Sequence, residues 1–166
     1  INKNLKEYGG DSIQPYSYSG TLGMLGYWGM SERFWNKMGA ARLGRTICIA
    51  AASTAGIYTC GAACGPAIDE VPNNDLIILW GTNIVSTHVH MVPFVEEAKK
   101  RGAKIICIDP RETRTAALSD WHIQPKPGTD AALALGMMNE IVKNKKHDLA
   151  FLKKHTTGYN EFLEKI

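Results

Sequence analysis

Two rhythms of apolar and polar positions organise the second half of the chain. Leu76-Ile77-Ile78-Leu79-Trp80 is an unbroken apolar run stopped by Gly81, the pattern of a buried parallel strand. From Val89 to Arg101 the spacing turns helical: Val92, Val95 and Ala98 form an apolar stripe, Glu96, Glu97, Lys99 and Lys100 are polar, and Gly102 closes the segment. Ala103 to Ile108 is again β-rich. Strand, helix and strand in this order predict two adjacent parallel strands joined by a right-handed crossover.

The pattern continues with a short strand at Trp121-His122-Ile123 and a turn built on Pro125, Pro127 and Gly128. An Ala/Leu/Met-rich helix then runs from Asp130 to about Lys143, with Thr129 or Asp130 as its cap. Two shorter helices are predicted over Asp148 to His155 and Tyr159 to Ile166. The earlier part is less regular. Residues 9–29 are rich in Gly, Tyr and Ser, Ser31 to Arg45 has helical spacing, and Thr46 to Ala55 fits either helix or strand. The expected fold class is therefore α/β: a Rossmann-like open parallel sheet with helices on both faces, preceded by an irregular Gly-rich segment. We expect one domain over 1–166, with 1–70 as an irregular and helical lead-in and 71–166 as a β-α-β core. The chain starts at Ile1 without a charged and apolar leader and stops on a helix, so a natural protein that continues further is expected.

Composition narrows the function classes. With 45% hydrophobic and 21% charged residues, the chain supports a substantial core. Its net charge is only +3, and the clusters Lys99-Lys100-Arg101 and Lys143-Lys145-Lys146 read as solvated helix ends, not as a nucleic-acid surface. No stretch approaches the ~20 apolar residues that cross a bilayer, so no direct membrane insertion is expected. A soluble protein of the cytoplasm or periplasm is the expectation. The four cysteines, Cys48, Cys60, Cys64 and Cys107, lack the tight pairs of a zinc site. Cys60 and Cys64, four apart, would share a helix face, and two small buried residues are preferred there over a metal or redox pair.

Three turns follow the C-terminal ends of the predicted strands: Gly81-Thr82-Asn83, Asp109-Pro110-Arg111 and Pro127-Gly128-Thr129-Asp130. In an open α/β sheet, that edge is where ligands bind. Glycine next to a helix start lets backbone N–H groups approach a phosphate. Asp109 is placed to hold ribose hydroxyls, Arg111 can fork onto a phosphate or stack on a base, and Asp130 can accept from the N1–H and N2–H2 edge of guanine. Each residue also has a plain structural reading: Gly81 and Gly128 as turn formers, Asp130 as a helix cap, Asp109 as a helix start. The standard phosphate loop is absent, and Gly20, Gly23 and Gly26 never spell G-x-G-x-x-G after a strand, which argues against simple ATP or nicotinamide binding. His88 and His90 diverge by about 200° on a helix and suit capping or surface roles, not one metal.

Leu79-Trp80-Gly81-Thr82-Asn83 with Ser86-Thr87-His88 resembles the molybdopterin oxidoreductase family of formate dehydrogenases, nitrate reductases and dimethyl sulfoxide reductases. The likeness runs on through Gly102 to Thr113, Thr115-Ala116 and Ser119-Asp120, and ends with Pro127 to Leu135. It implies a molybdenum or tungsten bis(molybdopterin guanine dinucleotide) cofactor, of which this chain would hold one arm. Trp80, Gly81 and Asn83, with Ser86 or Thr87, would approach the pyrophosphate and pterin side. Ile108 through its backbone, Asp109 and Arg111 would contact the guanosine, and Gly128, Thr129 and Asp130 the guanine edge. Arg45-Thr46-Ile47-Cys48 resembles the place where family members carry the Cys, selenocysteine or Ser that ligates the metal, which makes Cys48 the candidate catalytic ligand. The cysteine-rich segment that binds a [4Fe–4S] cluster in many members has no counterpart here and is expected upstream. The implied partners are the remaining domains of the same enzyme and an iron–sulfur electron-transfer subunit, and the chain alone is not expected to turn over. The rival is a free-standing nucleotide-binding module with no redox role.

Overall fold

The computed structural model describes residues 1–17, 29–63 and 65–165, and the chain divides into two compact units, Ile1–Gly65 and Pro66–Ile166. Cys64 and the glycine series Gly20, Gly23 and Gly26 lie outside the described residues.

The first unit contains α1 (Asn2–Tyr8), α2 (Met30–Met38) and α3 (Ala50–Cys60). Helical spacing continues to Arg45, but α2 stops seven residues earlier than the expected Ser31–Arg45 helix. Gly39 takes a left-handed φ of 71° there, and its N–H bonds the Asn36 carbonyl. The side chain of Arg45 works elsewhere. Its guanidinium donates to the Ser17 carbonyl at 3.0 Å and to Glu32 Oε1 at 2.8 Å, tying an extended segment to α2. The ambiguous stretch from Thr46 resolves into a bend followed by α3.

The second unit is an open α/β sheet of three parallel strands, β1 (Leu76–Trp80), β2 (Lys104–Ile108) and β3 (Trp121–Ile123), in the order β1-β2-β3. The register pairs Leu76 with Lys104 and Trp80 with Ile108, and then Ile106 with Trp121 and Ile108 with Ile123. After β1 come α4 (Ile84–Thr87), a 3-10 turn at Val89–Met91 and α5 (Val92–Lys100). The expected Val89–Arg101 helix therefore begins with a tighter turn, and Pro93 supports the start of α5, where its missing N–H costs nothing. α6 (Arg114–Leu118) links β2 to β3; Thr113 nucleates it by accepting the Ala116 N–H at 3.2 Å. α7 (Asp130–Lys143), α8 (Leu149–His155) and α9 (Tyr159–Leu163) follow, and Asp148 caps α8 through the Phe151 N–H at 2.9 Å.

Burial explains the register. Strand side chains alternate, so Ile77 and Leu79 of β1 share a face with Ile105 of β2, and there they pack against Val95 and Ala98 of α5. α6 lies beside α5, with Lys99 Nζ donating to the Leu118 carbonyl at 2.7 Å. On the opposite face Trp80 reaches the first residue of α7 (below), while Leu76 and Ile78 remain exposed.

Asp120 locks β3 to β2. Its Oδ2 accepts the Ile105 N–H at 2.8 Å, its Oδ1 lies 3.2 Å from Lys99 Nζ, and its own N–H donates to the Ile105 carbonyl. The hydrogen bond from Ile105, followed by that from Lys99, holds the carboxyl below its ordinary 3.8. A depressed folded value means that this stabilisation is present above pH 3.8 and is lost as the pH falls through the lower folded value. Asp120→Asn is accordingly expected to flatten the acid limb of unfolding below pH 3.8. Denaturant midpoints across that range check it; an acid limb identical to the parent's would refute the role.

Candidate functional site

Hydrogen bonds draw the three predicted turns to the C-terminal edge of the sheet. Gly81 donates its N–H to the Ile108 carbonyl at 2.8 Å, joining the first turn to the second. Asp109 donates its N–H to the Ile123 carbonyl at 3.1 Å, and Gln124 Nε2 donates to the Pro110 carbonyl at 3.3 Å, joining the second turn to the end of β3. His122 Nε2–H donates to the Asp109 carbonyl at 2.8 Å, which fixes the proton on that nitrogen. The third turn folds back across fifty positions of sequence, and there the Trp80 indole Nε1–H donates to Asp130 Oδ1 at 2.7 Å.

That bond revises the expected cap. Thr129 sits at the N-cap position of α7 but spends its hydroxyl on the Lys126 carbonyl at 2.7 Å and makes no side-chain cap to the helix. Asp130 is thus turned toward Trp80 and not toward the helix backbone.

The remaining candidates divide by what is left on them. Asp109 Oδ1 accepts the Arg111 N–H at 2.8 Å, which leaves Oδ2 for an outside donor. The exposed Arg111 guanidinium has no protein partner among the described residues. Ile108 is 1% exposed, so only its backbone could meet a ligand, and its carbonyl already accepts from Gly81. Gly81 (φ 60°) and Gly128 (φ 85°) both hold left-handed backbone, and a Cβ at either position would project into open space. Asn83 is committed internally. Its Oδ1 accepts from Thr115 Oγ1 at 2.7 Å, its Nδ2 donates to Ser86 Oγ at 3.2 Å, and its carbonyl accepts from Ser86, Thr87 and the Thr87 hydroxyl. Sequence reasoning gave no role to Thr115, His122 and Gln124. Thr115 carried a faint signal, as a polar residue inside a short apolar stretch capped by Thr113.

Cys48 belongs to the first unit, where it is exposed in the bend before α3. Cys60 is exposed too, against the buried role expected of it. Cys107 is buried, and burial, then the nearby Asp109 charge, pushes its thiol up, which makes it a poor nucleophile. No group of three or more His, Cys, Asp or Glu among the described residues could hold a metal by itself. None of their helices is long and apolar enough to cross a membrane. A cavity of about 290 Å³ lies in the first unit, lined by Glu32, Trp35, Asn36, Arg42 and Arg45 among others; of these only Arg45 belongs to a motif singled out in the sequence.

Residues 1–153 match the family model described as molybdopterin oxidoreductase. The chain belongs to the molybdopterin oxidoreductase family. It is 44% identical over 162 residues to the probable oxidoreductase YoaE of Bacillus subtilis, covering 98% of this chain and 24% of that protein. It is 37% identical over 112 residues to formate dehydrogenase H of Escherichia coli, covering 66% of this chain and 16% of that enzyme. The solved structure of acetylene hydratase from Pelobacter acetylenicus superposes with a TM-score of 0.70 at 27% identity, covering 99% of this chain and 22% of the hydratase. The chain thus spans about a quarter or less of the length of these relatives. Family membership implies a molybdenum or tungsten pterin cofactor. The named activities of the relatives run from formate dehydrogenation to acetylene hydration, so the family alone does not specify a substrate.

Proposed function

We propose that this chain holds one guanine dinucleotide arm of a bis(molybdopterin guanine dinucleotide) cofactor, of molybdenum or tungsten, within a larger two-electron oxidoreductase. The observation that carries the reading is the Trp80–Asp130 hydrogen bond at 2.7 Å, which sets a carboxylate from the third turn beside the first. The donor set fits the group. Asp130 retains Oδ2 and a lone pair on Oδ1 for the N1–H and N2–H2 edge of guanine, with Gly128 and Thr129 beside it. Asp109 Oδ2 suits a ribose hydroxyl, Arg111 suits a phosphate, and the open space over Gly81 and Gly128 admits a ligand against the backbone. Trp80, Gly81 and Asn83, with Ser86 or Thr87, form the pyrophosphate and pterin side. When bound, the cofactor supplies a metal that moves two electrons, and often an oxygen atom or hydride, to or from a small substrate. In this reading Cys48 supplies a soft thiolate to that metal and acts as the catalytic ligand. The remaining domains, a [4Fe–4S] cluster and an iron–sulfur electron-transfer subunit complete the electron path.

Denaturing the purified full-length enzyme is expected to release guanine nucleotide in twofold molar excess over molybdenum or tungsten. In the Cys48→Ser variant, X-ray absorption at the metal edge should show one sulfur scatterer replaced by oxygen. Release of another nucleotide, or of none, would remove the guanine dinucleotide reading. Unchanged metal coordination in the variant would remove Cys48 as ligand.

A further inference from the structure

Thr115 is wholly buried, yet its hydroxyl sits between two elements, accepting the Val85 N–H at 3.2 Å and lying 2.7 Å from Asn83 Oδ1. A hydroxyl has one hydrogen. Accepting from Val85 leaves that hydrogen free, and Asn83 Oδ1 is the acceptor that takes it at 2.7 Å, so the oxygen end of the Asn83 amide faces α6. The amide NH2 then points the other way, to Ser86 Oγ at 3.2 Å. Ser86 is exposed and accepts that bond, and no acceptor among the described residues takes its own hydroxyl hydrogen, which leaves it for an outside acceptor. The neighbouring Thr87 cannot do the same, because its hydroxyl hydrogen is spent on the Asn83 carbonyl at 3.0 Å. One directed chain therefore runs from the Val85 N–H through Thr115 and Asn83 to the Ser86 hydroxyl.

We propose that Thr115 is a positioning residue of the cofactor site, which acts through the Asn83 amide to hold the Ser86 hydroxyl as an outward donor for a phosphate oxygen of the ligand. The proposal rests on the dinucleotide reading above and deepens it: between Ser86 and Thr87, Ser86 is the donor, and it is set by a side chain on α6. The Thr115 end of this relay is buried, and coupling there is strong, because a group left unpaired in the interior has no water to turn to. Thr115→Val keeps the shape, removes the hydrogen that orients Asn83, and leaves the Val85 N–H without an acceptor. Thr115→Ser keeps both bonds.

The test uses the full-length enzyme as purified and reads metal and guanine nucleotide retained after gel filtration, the dissociation rate of both, and the melting temperature of cofactor-free protein. Ser86→Ala should accelerate dissociation by roughly ten- to a hundredfold, the range for a lost hydrogen bond to a charged group, with the cofactor-free melting temperature unchanged. Thr115→Val should accelerate it to a similar degree, and Thr115→Ser should restore retention. In the double variant Thr115→Val/Ser86→Ala, dissociation should match Ser86→Ala alone, because both changes remove the same donor. Thr115→Val, which strands the Val85 N–H, should lower the cofactor-free melting temperature in either case, so the coupling decides: an effect on dissociation that adds to that of Ser86→Ala, or no effect on dissociation at all, would overturn the proposal. Retention at parental levels in Ser86→Ala would overturn it too. If the parent enzyme itself releases no guanine nucleotide, it is the dinucleotide reading that falls.

Discussion

Asp130→Ala in the full-length enzyme is expected to weaken cofactor retention by about 1.5–3 kcal/mol, the scale of a lost hydrogen bond to a charged group. Cofactor-free stability should change little. Asp130 caps nothing, so its removal costs the helix its share of the favourable dipole interaction, about 0.3–1 kcal/mol, together with the solvent-exposed bond from the Trp80 indole, which water can replace. Asp130→Asn should cost less, since one acceptor survives. Asp109→Ala should also loosen the cofactor but leave the preference for guanine intact, because a ribose contact carries no base information. Metal content and dissociation rates in the three variants, with folding followed by circular dichroism, check the series. An Asp130→Ala enzyme that folds normally and keeps its cofactor like the parent would leave Asp130 without a role in guanine recognition.

Ile105→Ala should destabilise the sheet unit by about 2–5 kcal/mol, the range for deleting a buried Ile side chain into a space that relaxes only partly. Ile105 is 0% exposed, belongs to the packed cluster of Ile77, Leu79, Val95 and Ala98, and has both backbone polar groups committed to Asp120. Ile105→Val, which removes one methylene, should cost about 0.5–1.5 kcal/mol. Hydrogen-exchange protection of the β1 and β2 amides reports the loss directly, even within a multidomain enzyme where one global unfolding midpoint is not defined. Equal protection in the parent and the Ala variant would mean that Ile105 is not at the centre of this core.

Periodicity made the sheet readable before any coordinates. Five apolar residues halted by Gly81, an amphipathic helix and a second β run admit few arrangements other than parallel neighbours, whereas the register of Leu76 with Lys104 came from the structure, where Ile77, Leu79 and Ile105 share one face. Short elements were harder. α4 and α6 span four and five residues, too few to show a period, and only the capping bond of Thr113 gives α6 a local cause. The opposite error occurred in α2, where apolar spacing outlasted the helix that Gly39 ends.

The sequence by itself determined the strands, the crossover, the three turns and their residues, and through the motifs from Leu79 to Leu135 the family, because these depend on neighbours within a few positions. Only the tertiary structure decided how the polar groups pair. Asp130 binds Trp80 instead of capping α7, the Asn83 amide is consumed between Thr115 and Ser86, and the Thr87 hydroxyl is spent on the Asn83 carbonyl while Ser86 stays available. The Trp80–Asp130 and Asn83–Thr115 pairs join residues 50 and 32 positions apart. A hydroxyl or amide takes whichever partner the fold brings within about 3 Å, and that choice is made by distances in space which the order of residues along the chain does not contain.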